Sequence, residues 1–192
     1  MLDRTLKRIR IITFTGPSGA GKTTIVRELL KNHPKMKMIL SLTSREPRNS
    51  DLQGEYRCKV TNEEFLRRDR KGEFIWIVNA HGNMFGTLLA DVNKALNSKR
   101  LYLMQITPDS VKRLRAHAPG KVLSVFILPP GEKELRRRLW ERGHLSEEID
   151  RRIADCVEWE KEAKESWIPY EFIRNEGTVA EAIYEIERII QT

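Results

Sequence analysis

The sequence predicts an α/β fold: a mostly parallel central sheet flanked by helices on both faces. Three observations carry this expectation. Short apolar, β-branched runs alternate with longer segments of helical periodicity along most of the 192 residues, the signature of βαβ units. The first such run is followed by a glycine-rich loop that opens directly into a helix. Two later runs, "RLYLMQI" and "KVLSVFIL", are apolar almost throughout, as expected of strands covered on both faces.

Taken in order, "IRIITFT" (Ile9 to Thr15) reads as a buried strand. Lys22 to Asn32 carries apolar residues at helical spacing, and Pro34 closes that helix. "MKMILSLTS", from Met36, predicts a second strand, and the polar, turn-rich "REPRNSDLQGEY" a loop. Asn62 to Arg70 reads as a short helix with Thr61 as N-cap and Glu64 three residues on, the pattern of a capping box. "EFIWIVNA" and "NMFGT" predict two strands joined across "HG", with a helix from Leu88 to Asn97 after them. A helix from Pro108 to His117 separates the two buried strands, and Pro129-Pro130 ends the second. Gly131 to Arg142 and Ser146 to Ser166 read as charged helices, "YEFIRN" as a last strand and Val179 to Ile190 as a last helix. The segment from about 40 to 90, with its loops and short strands, is expected to form a lobe outside the main sheet. There is no internal repeat.

Composition narrows the class. Hydrophobic residues make up 40% and charged residues 32%, values of a soluble globular chain. No apolar run approaches the ~20 residues of a membrane span, and the basic start "MLDRTLKRIR" lacks a secretory cleavage pattern. Cys58 and Cys156 have no partner at metal or redox spacing and read as free thiols of a reducing compartment, so a cytoplasmic location is expected. The net charge of +8 suits anionic ligands. With no basic tail and no stripe of cations interleaved with aromatics, a nucleic-acid partner is disfavoured and nucleotides are favoured. No strand edge or apolar face is diagnostic of an oligomer.

The motif with the sharpest chemistry is "GPSGAGKTT". Gly16, Ser18, Gly19, Ala20, Gly21, Lys22 and Thr23 lie within G-x-x-x-x-G-K-[ST], with Thr24 next, between a predicted strand and a predicted helix. Backbone N–H groups of such a loop curl around phosphate, and the helix N-terminus adds its partial positive charge. Lys22 is expected to reach the β- and γ-phosphates of a nucleoside triphosphate, and the Thr23 hydroxyl to ligate Mg²⁺. A second phosphate site is expected on the lobe. In "SLTSREPR" and "GEY", Arg45, Arg48 and Tyr56 supply two guanidiniums and a phenol, suited to clamp a phosphate monoester. The chain lacks the N-K-x-D of guanine-reading GTPases, so a small kinase fits better than a GTPase.

With these residues in view, the chain resembles the guanylate kinase family. The likeness is carried by "GPSGAGKTT", "TSREPR", "NEEF", "GEF", "HGNMFGT", "FILPP", "LRRRLWERG" and "EEIDRRI", in that order. It implies a P-loop nucleotide kinase fold with core 1–38, 93–131 and 159–192, an NMP-binding lobe 39–92 and a helical lid 132–158. It also implies transfer of the γ-phosphate of ATP to GMP or dGMP with Mg²⁺. By position, Arg45, Arg48 and Tyr56 would hold the acceptor phosphate, and Lys22, Arg45, Arg138, Arg142 and Arg152 would neutralise the transferring group. Ser41 and Thr87 match the family's hydroxyl positions toward the base.

The likeness breaks at the base pocket. The family's base-binding glutamate falls on Trp76, its strand aspartates on Gln105 and Thr107, and a phosphate-binding tyrosine on Phe85. Indole offers one N–H donor and a ring face, so guanine's two donors would meet no carboxylate there. A lost charge-assisted hydrogen bond costs about 1.5–3 kcal/mol. Glu73 or Asp91 could supply a carboxylate in space. Three readings stay open: a guanylate kinase, a nucleoside monophosphate kinase of altered base specificity with Trp76 stacking on the base, and a weakly catalytic or binding protein of this type. Retention of Gly21, Lys22 and Thr23 favours the enzymes.

Overall fold

A computed structural model describes residues 8–49, 51–80, 82–141, 143–176 and 178–191. Five strands make the central sheet: β1 (Ile11–Thr15), β2 (Lys37–Met38), β7 (Tyr102–Gln105), β8 (Val122–Leu128) and β9 (Tyr170–Arg174). Their order is β2-β7-β1-β8-β9, and every neighbouring pair is parallel. The apolar runs have the composition this demands, because alternate residues of one strand face opposite helical layers. Ile12, Phe14, Leu103, Val125, Ile127 and Ile173 face α1 (Lys22–Asn32) and α7 (Val179–Gln191), packing on Ile25, Val26, Leu29, Ile183 and Ile186. On the opposite face, Ile11, Met104 and Val122 meet Leu114 of α4 (Pro108–His117). Phe126 and Leu128 meet Val111 and, from α6 (Ser146–Glu165), Ala163.

The chain leaves β1 toward β2 on one side and later crosses to β8 on the other, so the strand order reverses at β1. In open α/β sheets that reversal leaves a crevice at the carboxyl ends of the strands. The glycine-rich loop begins there.

The segment "MKMILSLTS", expected as one strand, is two. Lys37–Met38 belongs to the central sheet, where Ile39 N–H still donates to Leu103 O; two residues later Ser41 N–H donates to Glu55 O beside a second sheet. That sheet contains β3 (Ser41–Thr43), β4 (Tyr56–Arg57), β5 (Phe74–Ala80) and β6 (Asn83–Leu88), in the order β4-β3-β6-β5. Strand β4 begins at Tyr56, the last residue of the stretch expected to be loop, and a two-residue strand leaves no periodicity to read. Leu42, Val60, Phe65, Phe74 and Ile77 form the small core of this lobe, with Phe65 of α2 (Asn62–Arg70) stacked on Phe74 at 5.4 Å. Thr61 caps α2 by accepting from Glu64 N–H at 3.1 Å, but the Glu64 carboxylate pairs with Arg57 and Arg68 instead of turning back to the cap. Helix α3 (Leu89–Leu96) follows the lobe, and α5 (Glu132–Glu141) precedes α6. No helix among the described residues is long and apolar enough to cross a membrane.

Candidate active site

The loop after β1 has the form its sequence requires. Gly21 has φ 96°, and a Cβ there would lie 2.2 Å from Asn175 Nδ2, so only glycine lets the chain turn into α1 at this point. Helix α1 begins with no side-chain cap and no acidic residue in its first turn, leaving its N–H groups and dipole available to an anion. Asn175, 3% exposed at the end of β9, donates from Nδ2 to Ala20 O at 2.7 Å and braces the loop from behind. Lys22 Nζ folds back over the loop to Gly16 O and Pro17 O, at 2.6 and 2.8 Å. Ser18 and Thr23 are half-buried and Thr24 is exposed. Thr23 Oγ1 lies 3.2 Å from Gln105 Oε1.

Across the crevice, the lobe holds Arg45 in a defined pose. Its guanidinium donates to both Asp51 oxygens, at 2.9 and 2.6 Å, and to Glu46 O at 2.7 Å, and it lies 4.7 Å over the Tyr56 ring. Asp51 also accepts from Arg48 N–H. The hydrogen bond to Asp51 outweighs burial and raises the Arg45 pKa. For Asp51, burial pushes upward, yet the bonds from Arg45 and Arg48 hold the carboxyl below its ordinary range. Burial raises the Tyr56 phenol, as does the neighbouring Glu55, so Tyr56 remains a donor. Phe85 meets Tyr56 edge-on at 5.9 Å, and Arg48 stands exposed at the rim.

The other expected residues divide. Ser41 and Thr87 are register partners on β3 and β6 whose hydroxyls bond each other at 2.8 Å. Thr107 caps α4, accepting from Ser110 N–H at 3.4 Å. Trp76 does not offer an open ring face: it is 5% exposed and packs with Ile11, Ile39, Val92, Ala95 and Met104 in the seam between lobe and central sheet. A bulge between Phe74 and Trp76 causes this. It places Ile75 and Trp76 on the same side, toward the seam, while Phe74 and Ile77 face the lobe core. Glu73 is paired with Arg68 at 2.7 Å.

In the segment expected to form the lid, Arg138 Nε bonds Glu134 at 2.7 Å, with Nη1 3.9 Å from where a Gly21 Cβ would be. Arg152 is tied to Glu148 at 2.8 Å. Arg142 lies outside the described residues. Leu135 and Leu139 form a small core with Ile149 and Cys156, and Leu135 Cδ1 comes within 2.4 Å of a Cβ added at Gly19, so α5 rests on the glycine loop.

Sequence reasoning missed Asp51, Glu55 and Asn175. The two acids sit in a stretch read as a polar turn, where nothing in the pattern distinguishes a buried acid from a solvated one. Asn175 carried a usable signal, since it ends a predicted parallel strand on the ligand-binding edge. Glu55 is 6% exposed; its Oε1 accepts from Gln105 Nε2 at 2.9 Å and its Oε2 from Leu52 N–H at 3.1 Å.

Comparison with known proteins bears on this arrangement. The family model described as guanylate kinase matches residues 8–192. The guanylate kinase of Clostridioides difficile is 32% identical over 188 residues, covering 97% of this chain and 89% of that protein. That of Bartonella henselae is 38% identical over 146 residues, covering 76% of this chain and 65% of the relative. Among solved structures, a guanylate kinase from Anaplasma phagocytophilum superposes with a TM-score of 0.68 at 25% identity, over 96% of this chain and 86% of that one. A gluconokinase from Sinorhizobium meliloti (TM-score 0.51, 16% identity, 96% and 95% covered) shares the fold.

Proposed function

The chain belongs to the guanylate kinase family, and from that premise we propose that it transfers the γ-phosphate of ATP to GMP or dGMP. The observation that carries this reading is the opposition of two phosphate sites: the uncapped helix N-terminus behind Lys22 and Thr23, and the Arg45–Tyr56 clamp oriented by Asp51. Donor phosphates would lie on the loop N–H groups, with Lys22 exchanging its bonds to Gly16 and Pro17 for phosphate oxygens. Arg45, Arg48 and Tyr56 would hold the acceptor phosphate for in-line attack, so catalysis rests on positioning and charge neutralisation. Arg138 and Arg152, with Arg142 by sequence position, would supply positive charge from the lid. The glycine cradle and the Thr23 hydroxyl fit MgATP, and no cluster of acidic or imidazole ligands competes for a metal among the described residues. Thr23 would help hold Mg²⁺, which when bound with ATP would supply further charge neutralisation at the phosphates. The free thiols Cys58 and Cys156 suit a reducing, cytoplasmic setting.

A second reading, altered base specificity, is favoured by one observation: Trp76 is packed into the seam and stands where the family's base-reading carboxylate is expected. Ser41, Thr87 and Phe85 remain to line the acceptor base, with Trp76 as a wall behind them.

The test is ADP release from MgATP with GMP, dGMP, AMP, CMP, UMP or dTMP as acceptor. Turnover confined to GMP and dGMP is the expected result. Faster turnover with another base would keep the phosphate sites and replace the acceptor, whereas no turnover with any of the six, alongside measurable ATP binding, would overturn the kinase reading for them.

A further inference from the structure

Glu55 is a buried carboxylate with no part in the chemistry described so far, and it reaches across the seam. It precedes β4 in the lobe, yet its Oε1 accepts from the amide of Gln105 at the end of β7 in the central sheet. That amide in turn faces Thr23 on the phosphate loop. Glu55 immediately precedes Tyr56 in the chain, so one acid lies beside the acceptor clamp and, through one side chain, reaches the donor loop.

Donor and acceptor rules set the direction of this relay. Both Glu55 oxygens accept, from Gln105 Nε2 and Leu52 N–H, so Gln105 turns its NH₂ group toward Glu55 and its carbonyl Oε1 toward Thr23. The carbonyl also only accepts, so the Thr23 hydroxyl spends its proton on Gln105 and keeps its oxygen lone pairs for another ligand. With the amide reversed, an N–H would point at Thr23 Oγ1 and occupy a lone pair that a hard cation needs. We propose that Glu55 is a positioning residue for MgATP: by fixing the amide orientation of Gln105 it keeps the Thr23 oxygen available to the metal. In this chain the carboxylate that organises the metal side comes from the lobe, not from the strand where the family carries an aspartate. The proposal rests on the MgATP part of the reading above and is independent of the acceptor base.

The test uses the full chain and a non-hydrolysable ATP analogue, titrated calorimetrically with Mg²⁺ and with EDTA. Glu55→Gln removes the constraint on the amide, and the gain in analogue affinity due to Mg²⁺ should fall about tenfold, as for other partners of metal ligands. Binding in EDTA should stay within about twofold, because the loop N–H groups are untouched. Gln105→Glu sets two carboxylates against each other and should also lose the Mg²⁺ effect. The double exchange E55Q/Q105E restores the direction, because the carboxylate now at position 105 accepts from the Thr23 hydroxyl and from the amide now at position 55. It should recover most of the Mg²⁺ effect. A full Mg²⁺ effect in E55Q, an equal loss with and without Mg²⁺, or a double variant no better than E55Q would overturn the proposal. Wild-type chain that binds the analogue without any Mg²⁺ effect would overturn it together with the reading beneath it.

Discussion

Arg45 illustrates how a buried cation is held in place by its neighbours. Its guanidinium is 8% exposed, and a buried cation is tolerated only when its charge is paired and its donors are used. Asp51 takes two of those donors in a fork, and the Tyr56 ring covers one face. Asp51→Asn keeps the shape and removes the charge. We expect acceptor affinity to fall about tenfold or more, since a charge-assisted bond is worth about 1.5–3 kcal/mol, with a smaller change in ATP affinity; the KM values for the two substrates check this. The sign of the pH effect follows from the depressed Asp51 pKa. Its contribution to stability is present in full above the unfolded value of about 3.9 and is lost as pH falls through the lower folded value. The acid limb of a stability-against-pH curve should therefore be shallower in D51N.

At the scale of elements, the strand–loop–helix unit around Gly21 and the cap of α2 answer to local rules, and the strands of the lobe do not. Thr61 caps α2 on its own, because Glu64 is engaged by Arg57 and Arg68. Thr61→Ala should lower stability by about 1 kcal/mol and leave turnover with the preferred acceptor within about twofold, measured by urea unfolding and steady-state kinetics. A drop in turnover without a drop in stability would mean that α2 has a role in closure. The split of "MKMILSLTS" into β2 and β3 is decided by partners: Leu103 claims Ile39 and Glu55 claims Ser41. Neither residue type prefers one sheet over the other.

At the scale of the molecule, central sheet, lobe and the α5–α6 pair converge on the crevice at β1. The lobe is anchored through Trp76 and its neighbours, α5 through Leu135 on the glycine loop, and the seam is crossed by the Thr23–Gln105–Glu55 relay. Ligands bridging these parts should stabilise the whole. At 100 times Kd, an MgATP analogue should add about 2.7 kcal/mol, or about 5–10 °C in Tm for a chain of this size, with a further rise when the preferred acceptor is added. Scanning calorimetry checks this, and an unchanged Tm would contradict nucleotide binding at the loop.

The α/β class, the strands and helices of the central layer, the glycine loop between β1 and α1, and the placing of Arg45 and Tyr56 in one lobe were legible in the sequence, because each is written in local pattern: period, β-branching, glycine spacing, clustered cations. What Trp76, Thr107 and Gln105 do was not. A bulge turns Trp76 into the seam, a helix start claims the Thr107 hydroxyl, and a buried acid fifty residues away in the chain orients Gln105. Those roles depend on which groups meet in space and on the water they exclude, and only the tertiary structure decides that.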